Sequence, residues 1–420
     1  MRVESPSNRK FLDRLLAVEC RDATYPVSDS PLVFAKAFGS EIEDCEGRRY
    51  IDLCAGFGAL PLGHNHPVIR AAMRRWTEDD LSPPIEHGMG DVYPAVAKIE
   101  IIELLLSLMP DHLRRASLAL TGSQAVEIAL KTAMQATGHT GFIAFKNGYH
   151  GVDLGVLPVT SRADFSAPFK NWISGATVLE LPYGAPKTEV RAAIATLKKS
   201  PAGFAGLIVE PVQGRAGVVC PPSGWLGSLL TETHAGGGLL IFDEIFTGLG
   251  RLGIWTTASE VAADLICLGK ALGGGFPLSA CVGTEAAMNA WPQSRGEAIH
   301  TGTFFGHPFT CAMAAATLNE MRAMKLPEAA ARRGANLLAD LKNRFGGDDS
   351  IADIRGQGMM LAVEFKKDGE GVRVMDTLRK HGVIALVSGA RGQVLSLTPA
   401  LNIPEANVQA ALKSLDVVLN

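Results

Sequence analysis

The sequence predicts an α/β protein: a large domain with a mainly parallel central sheet, and a smaller α+β domain built from both chain ends. Two observations predict this. Between about residues 97 and 290, helical stretches such as VAKIEIIELLLSLM and SQAVEIALKTAMQAT alternate with short apolar runs: RASLAL, GFIAF, AGLIVE, GGLLIFDE and ADLICLG. Runs of that length, apolar throughout and separated by helices, belong to a parallel sheet covered on both faces. Outside this region the pattern changes to alternation at 33–53 and to a mixed stretch after His307-Pro308.

In chain order, a short helix is expected from Arg9 to Val18, then an extended Pro-containing segment to about residue 30. Residues 33–53 (VFAKAFGSEIEDCEGRRYIDL) alternate apolar and polar positions and predict an antiparallel meander turning at Glu46-Gly47. The α/β region follows. After His307-Pro308 comes an Ala-rich helix, CAMAAATLNEMRAM, then strands near MMLAVEF, GVIAL and QVLSL. This gives an N-terminal segment at 1–60 that joins the small domain, a large domain at 61–307 and a C-terminal small domain at 308–420.

The chain has 420 residues, enough for two or three structural units at about 150 residues each. A composition of 47% hydrophobic and 20% charged residues excludes a disordered chain. Lys+Arg at 40 against Asp+Glu at 43 excludes a strongly electrostatic nucleic-acid binder. The seven cysteines have no CxxC spacing and read as reduced thiols, mostly buried. The opening MRVESPSNRKFLDRLL lacks the apolar core of a secretion signal, and the run IIELLLSLM is too short to span a membrane. A cytoplasmic location is expected.

Ligands of open α/β sheets bind beyond the carboxyl ends of the strands. Four such ends carry polar residues here. AGLIV leads to Glu210-Pro211-Val212-Gln213-Gly214, GGLLIF to Asp243-Glu244, ADLICLG to Lys270, and SLAL to Thr121-Gly122-Ser123-Gln124. Lys270 precedes Ala-Leu-Gly-Gly-Gly. Alone, it reads as a lysine snorkelling at a strand end. Desolvated, it is an amine able to form a Schiff base. Asp243, alone a cap or ion-pair partner, is placed one strand away to bind a pyridinium nitrogen. Pyridoxal phosphate needs that pair, a lysine for its aldehyde and a carboxylate for its ring nitrogen. Gly122-Ser123 opens a helix and offers a phosphate seat, although capping by Thr121 or Ser123 explains the motif equally well. In Tyr149-His150-Gly151, the Tyr or the His can stack on a flat ring; a rim aromatic is the plainer reading.

The order of these motifs resembles the class III aminotransferases, pyridoxal-phosphate enzymes of fold type I. The resemblance runs from about residue 34 to 401. IEDCEGRRYIDLCAGFGALPLGHNHP, TGSQAVEIALKTA, GYHG, IVEPVQG, IFDEIFTGLGRLG, DLICLGKALGGGFPLSA, HTGTFFGHP and IRGQGMMLAVEF follow one another in family order. It implies that Lys270 carries the cofactor as an internal aldimine and moves the proton between Cα and C4′. Asp243 pairs with the ring nitrogen, Ile245 and Tyr149 cover the two ring faces, and His150 lies beside the cofactor. Gly122 and Ser123 hold the phosphate. Thr303 reaches the phosphate of a neighbouring subunit, which implies a homodimer with shared sites. Phe57, Glu210 and Gln213 line the substrate side.

Departures from the family pattern bear on substrate. Relatives acting on 4-aminobutyrate, ornithine or acetylornithine often carry an arginine after the Tyr/Phe-His-Gly triplet, where Val152 stands. A second arginine, near the C-terminus, is replaced by Ser396, so Glu210 is expected to lack its usual partner. Phe246 replaces a polar residue that some members use near the cofactor's phenolic oxygen. Arg391 in SGARGQ is a candidate for one carboxylate, with a solvated loop arginine as the alternative. One carboxylate contact favours pyruvate, and an unpartnered Glu210 favours a cationic donor. The expected activity is transfer of an amino group from an amine to a 2-oxo acid. A racemase, aminomutase or decarboxylase on the same scaffold is the alternative. A former enzyme kept for binding is disfavoured because Lys270 and Asp243 are both present, and a nicotinamide enzyme because GxGxxG is absent.

Overall fold

The computed structural model describes residues 7–24, 31–78, 84–90 and 92–419. Near the N-terminus, β1 (Phe34–Phe38), β2 (Glu41–Asp44) and β3 (Arg49–Asp52) form the antiparallel meander. The central sheet holds β4 (Leu113–Ala119), β5 (Phe142–Phe145), β6 (Val178–Leu181), β7 (Gly206–Val209), β8 (Leu239–Asp243), β9 (Leu265–Leu268) and β10 (Ser279–Thr284). Its order is β4-β10-β9-β8-β7-β5-β6. Strands β5 to β9 pair in parallel, whereas β10 runs antiparallel to both β4 and β9. The sheet is therefore mainly parallel with one reversed strand.

Side-chain alternation divides the sheet's burial between two layers. Ile208, Ile241, Cys267 and Cys281 face the helix Gly122–Thr137 through Val126, Ile128 and Ala129. Leu207, Leu240, Phe242, Ile266 and Leu268 belong to the opposite layer, which includes Ile194 and Leu229 from the helices Lys187–Lys199 and Trp225–Gly236. Strands buried on both faces explain the apolar runs that have no polar alternation.

After the helices Pro308–Ala323 and Leu326–Phe345 come β11 (Ile351–Gln357), β12 (Met360–Phe365), β13 (Val383–Ile384), β14 (Leu386–Ser388) and β15 (Val394–Leu397). Four of these form a sheet in the order β11-β12-β15-β14. The fifth, β13, leaves it and adds in parallel to β3, with Ile51 opposite Val383. The two chain ends thus share a sheet. Because β7, β8 and β9 are adjacent and parallel, Glu210, Asp243 and Lys270 emerge along one sheet edge.

Candidate active site

A cavity of about 860 Å³ opens at that edge, lined by Lys270, Asp243, Glu210, Tyr149, Gly122 and Ser123, among others. Lys270 begins a single tight helical turn directly after β9, with φ of +40°. Left-handed backbone is strained for a residue with a Cβ and persists only where the surroundings impose it. Its Nζ sits 4.4 Å from the centre of the Phe246 ring. Burial pushes the amine down to about 8, against the opposing pull of Asp243 and Glu210, and the charges of Arg215 and Arg251 add to the depression. An amine in that range is about half free of its proton at pH 8, where an ordinary lysine is almost wholly charged, and the free form is what a nucleophile requires.

Asp243, the last residue of β8, is buried. Its Oδ1 accepts from the backbone N–H of Ile245 (3.0 Å) and its Oδ2 from His150 Nδ1 (2.7 Å). His150 is buried too, and burial pulls its pKa down. The hydrogen bond and charge of Asp243, with Glu210, outweigh that and raise it. His150 therefore backs the carboxylate and fixes its orientation. Its own backbone N–H is held by Thr160 Oγ1 at 3.0 Å, which fastens the chain at this position.

The helix Gly122–Thr137 points its N-terminus into the cavity. Thr121 caps it: its hydroxyl accepts from the Gln124 N–H (3.3 Å), and Gln124 Oε1 accepts from the Thr121 N–H (3.2 Å). The cap takes the third N–H of the helix, and among the described residues no hydrogen bond uses those of Gly122 and Ser123. The capping and anion-seat readings are thus compatible. A Cβ on Gly122 would come within 3.0 Å of Ile245 Cγ2, and one on Gly151, at φ +112°, within 2.1 Å of Ser123 Oγ. Glycine at both positions lets three strand-end loops meet at the helix start.

Residues 24–419 match the class III aminotransferase family. The chain belongs to the class III aminotransferases. It is 31% identical over 410 residues to the acetylornithine aminotransferase of Methanothermobacter thermautotrophicus, covering 97% of this chain and 99% of that one. It is 33% identical to the acetylornithine aminotransferase of Methanopyrus kandleri, covering 92% and 93%. Among solved structures, the ornithine aminotransferase of Toxoplasma gondii superposes with a TM-score of 0.85 at 27% identity, covering 98% of this chain and 94% of that one. An amine transaminase from an uncultivated Pseudomonas species, in its PLP-bound form, gives 0.83 at 28%, covering 95% and 96%.

As a class III aminotransferase the protein is a fold type I enzyme that uses pyridoxal phosphate, and the residues present fit that cofactor. Two free N–H groups at a helix start suit a phosphate. A buried, braced carboxylate suits a protonated ring nitrogen, and a depressed lysine suits the aldehyde. Ile245 and the half-buried Tyr149 stand at the same cavity. Phe57, at φ +59° and exposed, lines it as well.

Four expectations are corrected. Gln213 is buried away from the cavity, with its amide donating to the Lys146 carbonyl at 2.9 Å. Arg391 lies in the turn between β14 and β15, where it pairs with Asp368 at 2.8 Å on the surface. Glu210 has partners, since its two oxygens accept from the N–H groups of Tyr149 (2.9 Å) and Gly214 (3.0 Å). Burial pushes its carboxyl up to about 7, which removes the case for a fixed negative charge selecting a cationic donor. The fourth is His150, which braces Asp243 in place of stacking on a ring. Thr303 is exposed and lies outside this chain's cavity. Sequence reasoning missed Arg162, Arg215 and Ser388, all of which line the cavity. Arg215 directly follows the Glu210–Gly214 strand-end loop, and that position was the signal.

Proposed function

We propose that the enzyme moves an amino group from a primary amine or amino acid to a 2-oxo acid carrying one carboxylate, with Lys270 as the covalent attachment point and proton carrier. The carrying observation is the convergence of Lys270 and Asp243 at adjacent strand ends beside an uncapped pair of helix N–H groups. Pyridoxal phosphate, when bound, supplies the electron sink for the pair released at the substrate Cα. Gly122 and Ser123 would hold its phosphate, Asp243 would hold its ring nitrogen with His150 bracing from behind, and Ile245 and Tyr149 would flank the ring. The Lys270 amine, unprotonated, would take the proton at Cα and return it across the transferred nitrogen, two atoms away.

The acceptor reading rests on the two positions where relatives carry arginine. Val152 is exposed, and Ser396 bonds its hydroxyl to that of Ser388 at the cavity wall. Neither supplies a cation for a second carboxylate. With a carboxylate-free amine as donor, the kcat/KM for pyruvate should at least equal that for 2-oxoglutarate. A strong preference for 2-oxoglutarate would contradict this.

A homodimer fits the same reading. Exposed Met89, Val92, Tyr93, Val96 and Ile99 lie in one stretch, and His87 Nε2 donates to the Thr303 carbonyl at 2.8 Å. That ties the stretch to the segment expected to reach a partner's phosphate site. Apolar exposure of this kind marks an interface. Sedimentation should give twice the chain mass at active concentrations; an active monomer would overturn the reading. A cytoplasmic location fits the seven cysteines, all free.

A further inference from the structure

We propose that Arg215 is the substrate-carboxylate anchor of this enzyme, binding the carboxylate of the 2-oxo acid or amino acid while Lys270 acts on the adjacent carbon. The inference rests on the aminotransferase reading and adds a specificity residue to it.

Three cationic side chains line the cavity: Lys270, Arg162 and Arg215. Lys270 is committed to the reaction. Arg162 is committed to Asp164, with Nε donating to Oδ1 (2.9 Å) and Nη2 to Oδ2 (2.5 Å), and it stacks on Phe165. Arg251 is close by but buried outside the lining, and its Nη1 donates to the carbonyls of Met359 and Pro399. Among the described residues, Arg215 has no carboxylate partner. The cavity's own acids are occupied, Glu210 by two backbone N–H groups and Asp243 by His150 and Ile245.

The backbone of Arg215 is fastened while its side chain is not. Gly214 is held by Glu210, Gly217 and Val218 both donate to the Gly214 carbonyl, and the Gly389 N–H donates to the Arg215 carbonyl at 3.0 Å. The guanidinium carbon lies 4.5 Å from the centre of the Tyr149 ring. Stacking on an aromatic face orients the plane and leaves the N–H edges free to grip two carboxylate oxygens. The depression of the Lys270 amine has Arg215 among its causes, which places this charge within electrical reach of the reacting centre. One free arginine suits one carboxylate. It also accounts for binding without cations at Val152 and Ser396.

The test uses holoenzyme, with propionate as an unreactive carboxylate followed by the cofactor's absorbance, and with 1-phenylethylamine as a carboxylate-free donor. Arg215→Met keeps the packing on Tyr149 and removes the charge; Arg215→Lys keeps a charge and loses the fork. Arg215→Met should weaken propionate binding, and lower kcat/KM for pyruvate, by about ten- to a hundredfold, the size of a lost charge-assisted bond. The half-reaction with 1-phenylethylamine should fall far less than the pyruvate reaction, its change limited to what the missing charge does to the Lys270 amine, and Arg215→Lys should fall between. Unchanged propionate binding in Arg215→Met would overturn the proposal. So would an equal loss with the carboxylate-free amine, which would mark a packing role. If the wild type exchanged no amino group, the transaminase reading would fail, while the propionate titration would still decide what Arg215 binds.

Discussion

Replacing Lys270 with alanine should leave a folded protein that still holds pyridoxal phosphate but no longer transaminates. The retained cofactor contacts are those of Gly122, Ser123 and Asp243, none of which involves the amine. The lost ones are covalent attachment and proton movement at the substrate carbon. A positioned acid–base group alone contributes about 10²- to 10⁴-fold, so the decline should be at least about a hundredfold. Added methylamine should restore part of the rate, since a small free amine fits the space the side chain vacates. A Lys270→Ala variant with more than about one per cent of wild-type turnover would be incompatible with this role.

Asp243→Asn should be the next most damaging change. The carboxylate is buried at the floor of the site and accepts from His150 and Ile245. An amide of the same shape keeps the packing but carries no charge to hold a ring nitrogen protonated. Losing that charge-assisted contact at the transition state should cost about 4 kcal/mol, roughly a thousandfold in rate. His150 simultaneously loses the main anion that raises its pKa, which favours its uncharged form in the core, so the fold should survive. Circular dichroism should be unchanged while single-turnover rates fall. A variant within tenfold of wild type would remove Asp243 from the chemistry.

Much of this site was legible because parallel strands buried on both faces announce themselves as apolar runs, and their polar ends mark one edge. Glu210, Asp243 and Lys270 were found that way. The reversed direction of β10 was not legible, since SACVGT is buried like its neighbours and carries no mark of orientation. Edge strand β6 was missed because its residues are half-exposed and not uniformly apolar. The partners of Glu210 are backbone amides, which no side-chain pattern announces. Arg391 suggests itself by its closeness in sequence to Ser396, whereas nothing near Arg215 in sequence points to a carboxylate. The β14–β15 turn carries Arg391 outward to Asp368, while the loop after β7 brings Arg215 to the cavity from a distant part of the chain. That His150 braces Asp243 was not legible, because the contact joins loops after two different strands.

The central claim is that one lysine, Lys270, with an amine depressed to about 8, is the attachment point. Apoprotein incubated with pyridoxal phosphate at a series of pH values, reduced with borohydride and digested, tests it directly. The account predicts pyridoxyl label on the peptide containing Lys270 alone. It also predicts a labelling rate that climbs as pH rises toward 8 and levels above it, because only the unprotonated amine reacts. Label on another lysine, or a rate still climbing toward the ordinary lysine range near 10.5, would contradict it.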